Sequence, residues 1–256
     1  MSCGRALSAR VSCLLLCGSA VTFVPPAAAQ PREPRYSVWV SAAAQAAAPS
    51  LREQFEFLRP VDQAERAIVD ADYRSKAGLL IDGGVAVRIR GSLGVGVSVS
   101  RFSGHAGADV VAQIPYPFEF GRFREVSGNS PGLDRTELAY HVQLRYSRPF
   151  AQRVRLVISG GPTVFDVRRE VLSDVQVDEA YPFDTATFRS ASARAAKGTG
   201  VGFHAGADLA WVFARQLGIG AFARYARGTA DLKGPSRTVS VDTGGIQSGV
   251  GLRLYF

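Results

Sequence analysis

Ile246–Phe256 reads Ile-Gln-Ser-Gly-Val-Gly-Leu-Arg-Leu-Tyr-Phe. Taken in steps of two, Ile246, Ser248, Val250, Leu252, Leu254 and Phe256 make one set, and it is largely apolar. The other set is Gln247, Gly249, Gly251, Arg253 and Tyr255. A period of two is the signature of a β-strand. Apolar residues on one face, with an arginine, an amide and glycines on the other, suit a strand between lipid and a wet lumen. A soluble sheet over a dry core alternates in the same way, so the rest of the chain has to decide.

The opposite end carries an export pattern. Arg5 and Arg10 form a positive region, Val11–Val24 is apolar or small around Leu14-Leu15-Leu16, and Ala27-Ala28-Ala29 precedes Gln30. This predicts a signal peptide over residues 1–29 and one domain over 30–256. The apolar stretch is short for a membrane-spanning helix. A lipoprotein signal at Cys17 is disfavoured, because Leu16 stands where a small residue is needed. Cys3, Cys13 and Cys17 all lie inside the leader. The exported chain is therefore expected to lack disulfides, thiolate metal sites and a cysteine nucleophile.

Nowhere beyond the leader do about 18 apolar residues run consecutively, so no transmembrane helix is available. Mean hydropathy is +0.04, and the 27 glycines fit alternating strands better than buried helices. Net charge is +8, or +6 once Arg5 and Arg10 are removed (8 − 2). A basic chain raises nucleic acid as a partner. The export signal instead makes anionic lipid head groups or surface polysaccharide the expected counter-ions, and no nucleic-acid partner is expected.

Alternating segments fall at Tyr36–Gln45, Gly78–Arg90, Leu93–Phe102, Glu137–Ser147, Arg153–Phe165, Gly200–Phe213, Leu217–Arg227 and Thr243–Phe256. The connections run long, short, long, short, long, short, long. Short turns on one side and long loops on the other are the habit of membrane barrels. Backbone in hydrocarbon must also pair completely, which closes the sheet. The expected fold is all-β: an eight-stranded antiparallel up-and-down transmembrane barrel. Within the long connections, Asp109–Pro115, Phe120–Val126, Arg168–Val177, Thr185–Arg189 and Gln54–Phe57 against Arg66–Tyr73 are strand-like. They predict strands extended into outward hairpins, with tips at Pro115–Phe118, Tyr181–Phe183 and the Pro60 region. Tyr36, Tyr146, Trp211, Phe213 and Phe256 fall near strand ends and are candidates for an interfacial aromatic girdle. Near Arg101 and Asp166 the alternation is hard to follow, which predicts bulges there.

The leader, Gly94–Gly96, Gly160–Phe165 and the terminal Leu-Arg-Leu-Tyr-Phe together resemble the small eight-stranded outer membrane β-barrels of the OmpA/OmpX-like superfamily. The resemblance spans residues 30–256. It implies a bacterial outer-membrane location and assembly by the barrel-assembly machinery. Val250, Leu252, Leu254 and Phe256 would form the C-terminal assembly signal. Outer-membrane lipid and lipopolysaccharide are the expected surroundings, and a monomer is expected. No peptidoglycan-binding domain is seen after the barrel, so wall tethering through one is not expected.

The inward phase collects Asp82, Arg88, Glu137, His141, Gln143, Arg145, Arg155, His204, Asp208, Arg224, Gln247 and Arg253. Such a set can conduct small solutes or plug the bore. Eight strands leave room only for side chains, so a plug of paired charges is expected, and Gly84, Gly94, Gly96, Gly249 and Gly251 would make room for the arginine stems. The alternative is a narrow porin. A second alternative is an enzyme acting on lipid A. His-Ala-Gly-Ala-Asp occurs at His105–Asp109 and again at His204–Asp208, but its His and Asp lie about 13 Å apart on a strand. No Ser follows any histidine by two residues, and three isolated histidines make a poor metal site. No catalytic residue, cofactor or metal is therefore expected, and a structural or surface-interaction role is. Arg122, Arg124, Arg168, Arg169, Arg189 and Arg194 lie beyond the membrane and could bind phosphates of lipopolysaccharide.

Overall fold

A computed structural model describes residues 34–47, 50–58, 65–234 and 238–256. The expected leader and Pro60 lie outside the described residues. The elements are β1 (Tyr36–Gln45), β2 (Leu51–Leu58), β3 (Arg66–Ser75), β4 (Gly78–Arg90), β5 (Leu93–Pro115), β6 (Phe123–Ala151), β7 (Val154–Glu179), β8 (Ala186–Val212), β9 (Leu217–Lys233) and β10 (Thr238–Tyr255).

Eight of them close a ring in the order β1-β4-β5-β6-β7-β8-β9-β10, with β10 returning to β1. Every neighbouring pair is antiparallel. The closing seam runs from Ser37↔Tyr255 to Gln45↔Gln247. Closure leaves no open edge at membrane depth, where an unpaired amide would find no water. The tight turn after β6 falls at Gln152-Arg153 rather than across Arg148–Gln152, because β6 pairs as far as Ala151↔Val154.

The hairpin β2–β3 stands outside the ring. Its inner strand pairs with β5 from Ile68↔Gln113 to Ser75↔Ala106, directly above the stretch that β4 uses. Thus β3 and β4 form one track along β5, interrupted at Lys76 and Ala77. The Lys76 amide donates to the His105 carbonyl at 3.0 Å, which carries the ladder across the break.

Around the ring the outward residues are apolar and uncovered: Ile81, Val142, Leu144 and Val250 are each more than half exposed. In water that belt would be an aggregation surface; in hydrocarbon it is solvated. Trp211 and Phe213 pack together at 5.9 Å near its lower margin. The upper margin carries charges. Arg101 and Asp166 both flank Leu138 and both point outward. No bulge occurs at either position, contrary to the sequence expectation. The alternation simply places a charge outward where the strands leave the lipid. Arg227 and Asp242 pair at 3.5 Å on the same exposed face. The irregularities fall elsewhere, at Arg88/Arg90, Ala106/Ala108, Pro149/Ala151, Leu172/Asp174 and Gln176/Val177.

Above this margin the strands continue. The β6–β7 pairing stops at Arg135↔Arg169. Beyond it β6 pairs with β5 and β7 with β8, so the ring opens into two layers. Val69, Tyr73, Val110, Ile114 and Val126 of one layer pack on Leu172 and Val175 of the other. The register slips between Leu172 and Asp174, and beside the slip the Leu172 amide donates to the Tyr73 hydroxyl of the facing layer at 2.9 Å. Phe188 lies flat on Gly128, where an added Cβ would come within 2.1 Å of its ring. The tips sit at Tyr116–Phe118 and Tyr181–Phe183 as expected, but β6 begins at Phe123 and β8 at Ala186. Phe120–Arg122 and Thr185 belong to the turns.

Candidate functional site

The lumen is where this fold gathers its chemistry. Residues alternating with the belt point into the bore, and all twelve predicted polar positions do so. Asp82 (β4) is central. It accepts from the Trp39 indole N–H at 2.9 Å and from Arg224 Nη1 at 2.9 Å. Arg224 Nε donates to Gln247 Oε1 at 2.7 Å, and Gln247 Nε2 donates to Gln45 Oε1 at 2.7 Å. Gln45 Nε2 reaches the Gly244 carbonyl at 3.1 Å and Glu137 Oε2 at 3.5 Å. Arg135 Nε donates to Glu137 Oε1 at 2.7 Å. One chain of hydrogen bonds therefore spans the bore from Trp39 to Arg135. Charged groups removed from water are tolerable only when partnered in this way.

A second cluster contradicts the expectation of isolated histidines. His141 and His204 stack edge-to-face at 4.7 Å, and both are almost fully buried. Thr163 Oγ1 lies 2.8 Å from His141 Nδ1 and 2.9 Å from His204 Nδ1, while Ser100 Oγ is 3.0 Å from His141 Nε2. Asp208 takes no part: it binds Arg253 Nε at 2.9 Å, and Arg253 Nη1 donates to Ser41 Oγ at 2.8 Å. The repeated His-Ala-Gly-Ala-Asp is thus not one unit. Its other histidine, His105, is exposed beside Asp134 at 3.0 Å in the outer layers. Gln143 donates to Ser98 Oγ at 3.0 Å. Arg145 lies over the Trp39 ring at 4.1 Å and Arg155 over Tyr255 at 5.3 Å. Arg88 sits near the short-turn end.

Two corrections concern space and exposure. Gly84 makes room for the Trp39 indole (a Cβ would meet it at 2.4 Å), and Gly94, Gly96, Gly249 and Gly251 face neighbouring backbone and small side chains. The glycines that face arginine stems are Gly206 and Gly220. Of the six outer arginines, Arg124 and Arg169 are buried. Arg124 pairs with Glu179 at 2.8 Å and donates to the Pro115 carbonyl, and Arg169 lies over the Tyr73 ring at 5.0 Å. They hold the outer layers together and do not face solvent.

Gln45, Trp39, Thr163, Ser100 and Arg135 went unremarked in the sequence. Each occupies an inward slot of its strand's alternation, and a polar residue in that phase was the available signal. Beside the Glu137 end of the network, Ala139, Phe165, Val167, Ala226, Leu232 and Val241 pack into a buried apolar cluster. Two cavities, of about 50 Å³ and 40 Å³, lie in its lower part. Each holds no more than a few waters.

A closed eight-strand ring with a polar bore and an apolar belt defines the outer-membrane type of β-barrel. Compared with known protein families and with curated proteins, the sequence has no match. Among solved structures it is similar to the outer membrane protein OprG of Pseudomonas aeruginosa, with 10% identity, a TM-score of 0.45, and coverage of 88% of this chain and 96% of that one. It is also similar to Neisserial surface protein A, with 12% identity, a TM-score of 0.40, and coverage of 86% and 97%. The outer membrane protease OmpT of Escherichia coli aligns at 9% identity with a TM-score of 0.49, covering 89% and 98%.

Proposed function

We propose that this chain is a non-enzymatic component of the bacterial outer membrane, with a sealed lumen and a structural or surface-interaction role. One observation carries the reading: the hydrogen-bonded chain from Trp39 to Arg135 crosses the bore, with a buried apolar cluster packed beside its Glu137 end. Ions would have to break that chain. Planar-bilayer recording tests it. The purified barrel should give no steady conductance, and large stable channels would favour the narrow-porin reading. Against chemistry on lipid A, the histidine pair is sealed inside the wall, away from the belt where acyl chains lie. Overexpression should leave lipid A mass spectra unchanged; new species lost in His141→Ala or His204→Ala would overturn the non-enzymatic role.

The short turns and both ends of the ring face the periplasm in this reading, and the two-layered projection faces outward. The protein works as a monomer in lipid and lipopolysaccharide. Arg122, Arg168, Arg189 and Arg194, which are exposed on the projection, meet the phosphates. Assembly machinery reads the strand bearing Val250, Leu252, Leu254 and Phe256. Partners add strands to the outer side of β2, which among the described residues is paired with β3 alone. Deleting β2–β3 should abolish such capture while leaving the barrel folded, and unchanged capture would remove the idea.

A further inference from the structure

Charge is balanced in the middle of the lumen and unbalanced at its short-turn end. The upper lumen pairs Arg224 with Asp82 and Arg135 with Glu137, and Asp208 holds Arg253. Below Asp208 the larger cavity is lined by Arg35, Arg88, Arg145 and Arg155, and among the described residues by no Asp or Glu. The second cavity, which Arg145 also lines, adds Arg224 and Arg253 against Asp82 and Asp208. Leaving out Arg88, which has a partner of its own, five arginines face two carboxylates among the described residues. Ser92 and Ser147 complete the donors of the larger cavity.

Two of these arginines present donor edges to the larger cavity. Arg155 Nη1 donates to Ser147 Oγ at 3.3 Å, but its buried Nε has no partner among the described residues. The Arg145 guanidinium rests on the Trp39 face, leaving its edge toward the cavities. Guanidinium groups clustered around one partly shielded cavity repel one another, and an oxyanion between them relieves that repulsion. Their planar forks match phosphate oxygens in pairs. We infer that the short-turn end of the lumen binds a phosphate group, gripped by Arg145 and Arg155 with Arg35 and Arg88 at its lip. The group belongs either to free phosphate or to a phospholipid head.

The test uses the mature chain refolded in maltoside micelles, with folding checked by heat-modifiable migration. Arginine Nε–H resonances are followed during titration with inorganic phosphate against chloride at matched ionic strength, and separately with dihexanoyl-phosphatidylglycerol. A saturable shift confined to a few arginines is expected. Arg155→Gln should weaken it about tenfold, as loss of a charge-assisted bond predicts. Arg155→Lys should retain part of it, and exposed Arg90→Gln should leave it unchanged. Tighter binding of the lipid than of phosphate assigns the membrane as the source, and equal binding assigns the free ion. A non-saturating drift, or a response identical in Arg155→Gln and the parent chain, overturns the site. Arg145→Gln repeats the measurement at the deeper arginine. If that variant does not fold, the Arg155 pair decides alone.

Discussion

The barrel and its projection bury opposite chemistry with the same strands. On β6, His141 and Gln143 point inward and Val142 and Leu144 outward within the ring. Further up the same strand, Val126 points inward while Ser127 and Asn129 face solvent. The backbone ladder and the side-chain period do not change; the surrounding medium does. A side chain facing hydrocarbon must be apolar, so polarity retreats to the bore and has to be paired there. A side chain facing water is free to be polar, so the interior becomes an ordinary packed core. The switch falls near Arg101 and Asp166, the first outward charges on their strands.

The sharpest way to break this contrast is to unpair the bore. Asp82→Ala strands Arg224 and the Trp39 N–H together, and should cost about 3–5 kcal/mol, the range for removing one partner of a buried pair. Urea unfolding in vesicles measures it, and a loss under about 1 kcal/mol would mean that water reaches the network. Next come matched substitutions on the outward faces. Val142→Arg puts a charge in the belt at about 2–4 kcal/mol. Ser127→Arg on the projection should stay within about 0.5 kcal/mol. Equal penalties at the two sites would erase the boundary drawn here. The smaller effect inside the projection is Tyr73→Phe. It removes the hydroxyl that accepts from the Leu172 amide, a loss of about 1 kcal/mol. That loss should show as faster amide exchange and proteolysis of the β7–β8 hairpin, with the ring untouched; protection lost around the whole ring would contradict a local role.

Much of the ring was legible because its constraint is simple. Tyr36–Gln45 and Gly78–Arg90 coincide with β1 and β4 residue for residue, since apolar-out alternation bounded by turn residues leaves little freedom. The inward phase likewise placed Asp82, Arg224 and Gln247 in the bore. What stayed hidden depends on stagger between strands. His141 and His204 lie on strands separated by β7. They meet only because register pairs Thr163 with His141 and places Gly161 opposite His204. Alternation gives the face of a side chain but not its height. The return of β3 onto β5 was hidden for the same reason: a hairpin in sequence does not reveal which distant edge it will extend. Arg124 and Arg169 read as solvent-facing because buried cations are rare, and their partners lie more than 50 residues away in Glu179 and Tyr73.

The ladder joining β7 to β8 runs from Val154↔Trp211 to Glu179↔Ala186, with slips in register but no gap. From Asp166 to Glu179 it climbs about 40 Å along the strand at the usual rise per residue. With no joint between base and summit, the projection behaves as a mast stepped in the bilayer, its lean dictated by the tilt of the wall beneath. The exposed rings of Phe118 and Tyr181 crown its tips, well away from the lipid belt, and the strands below them run on into the wall.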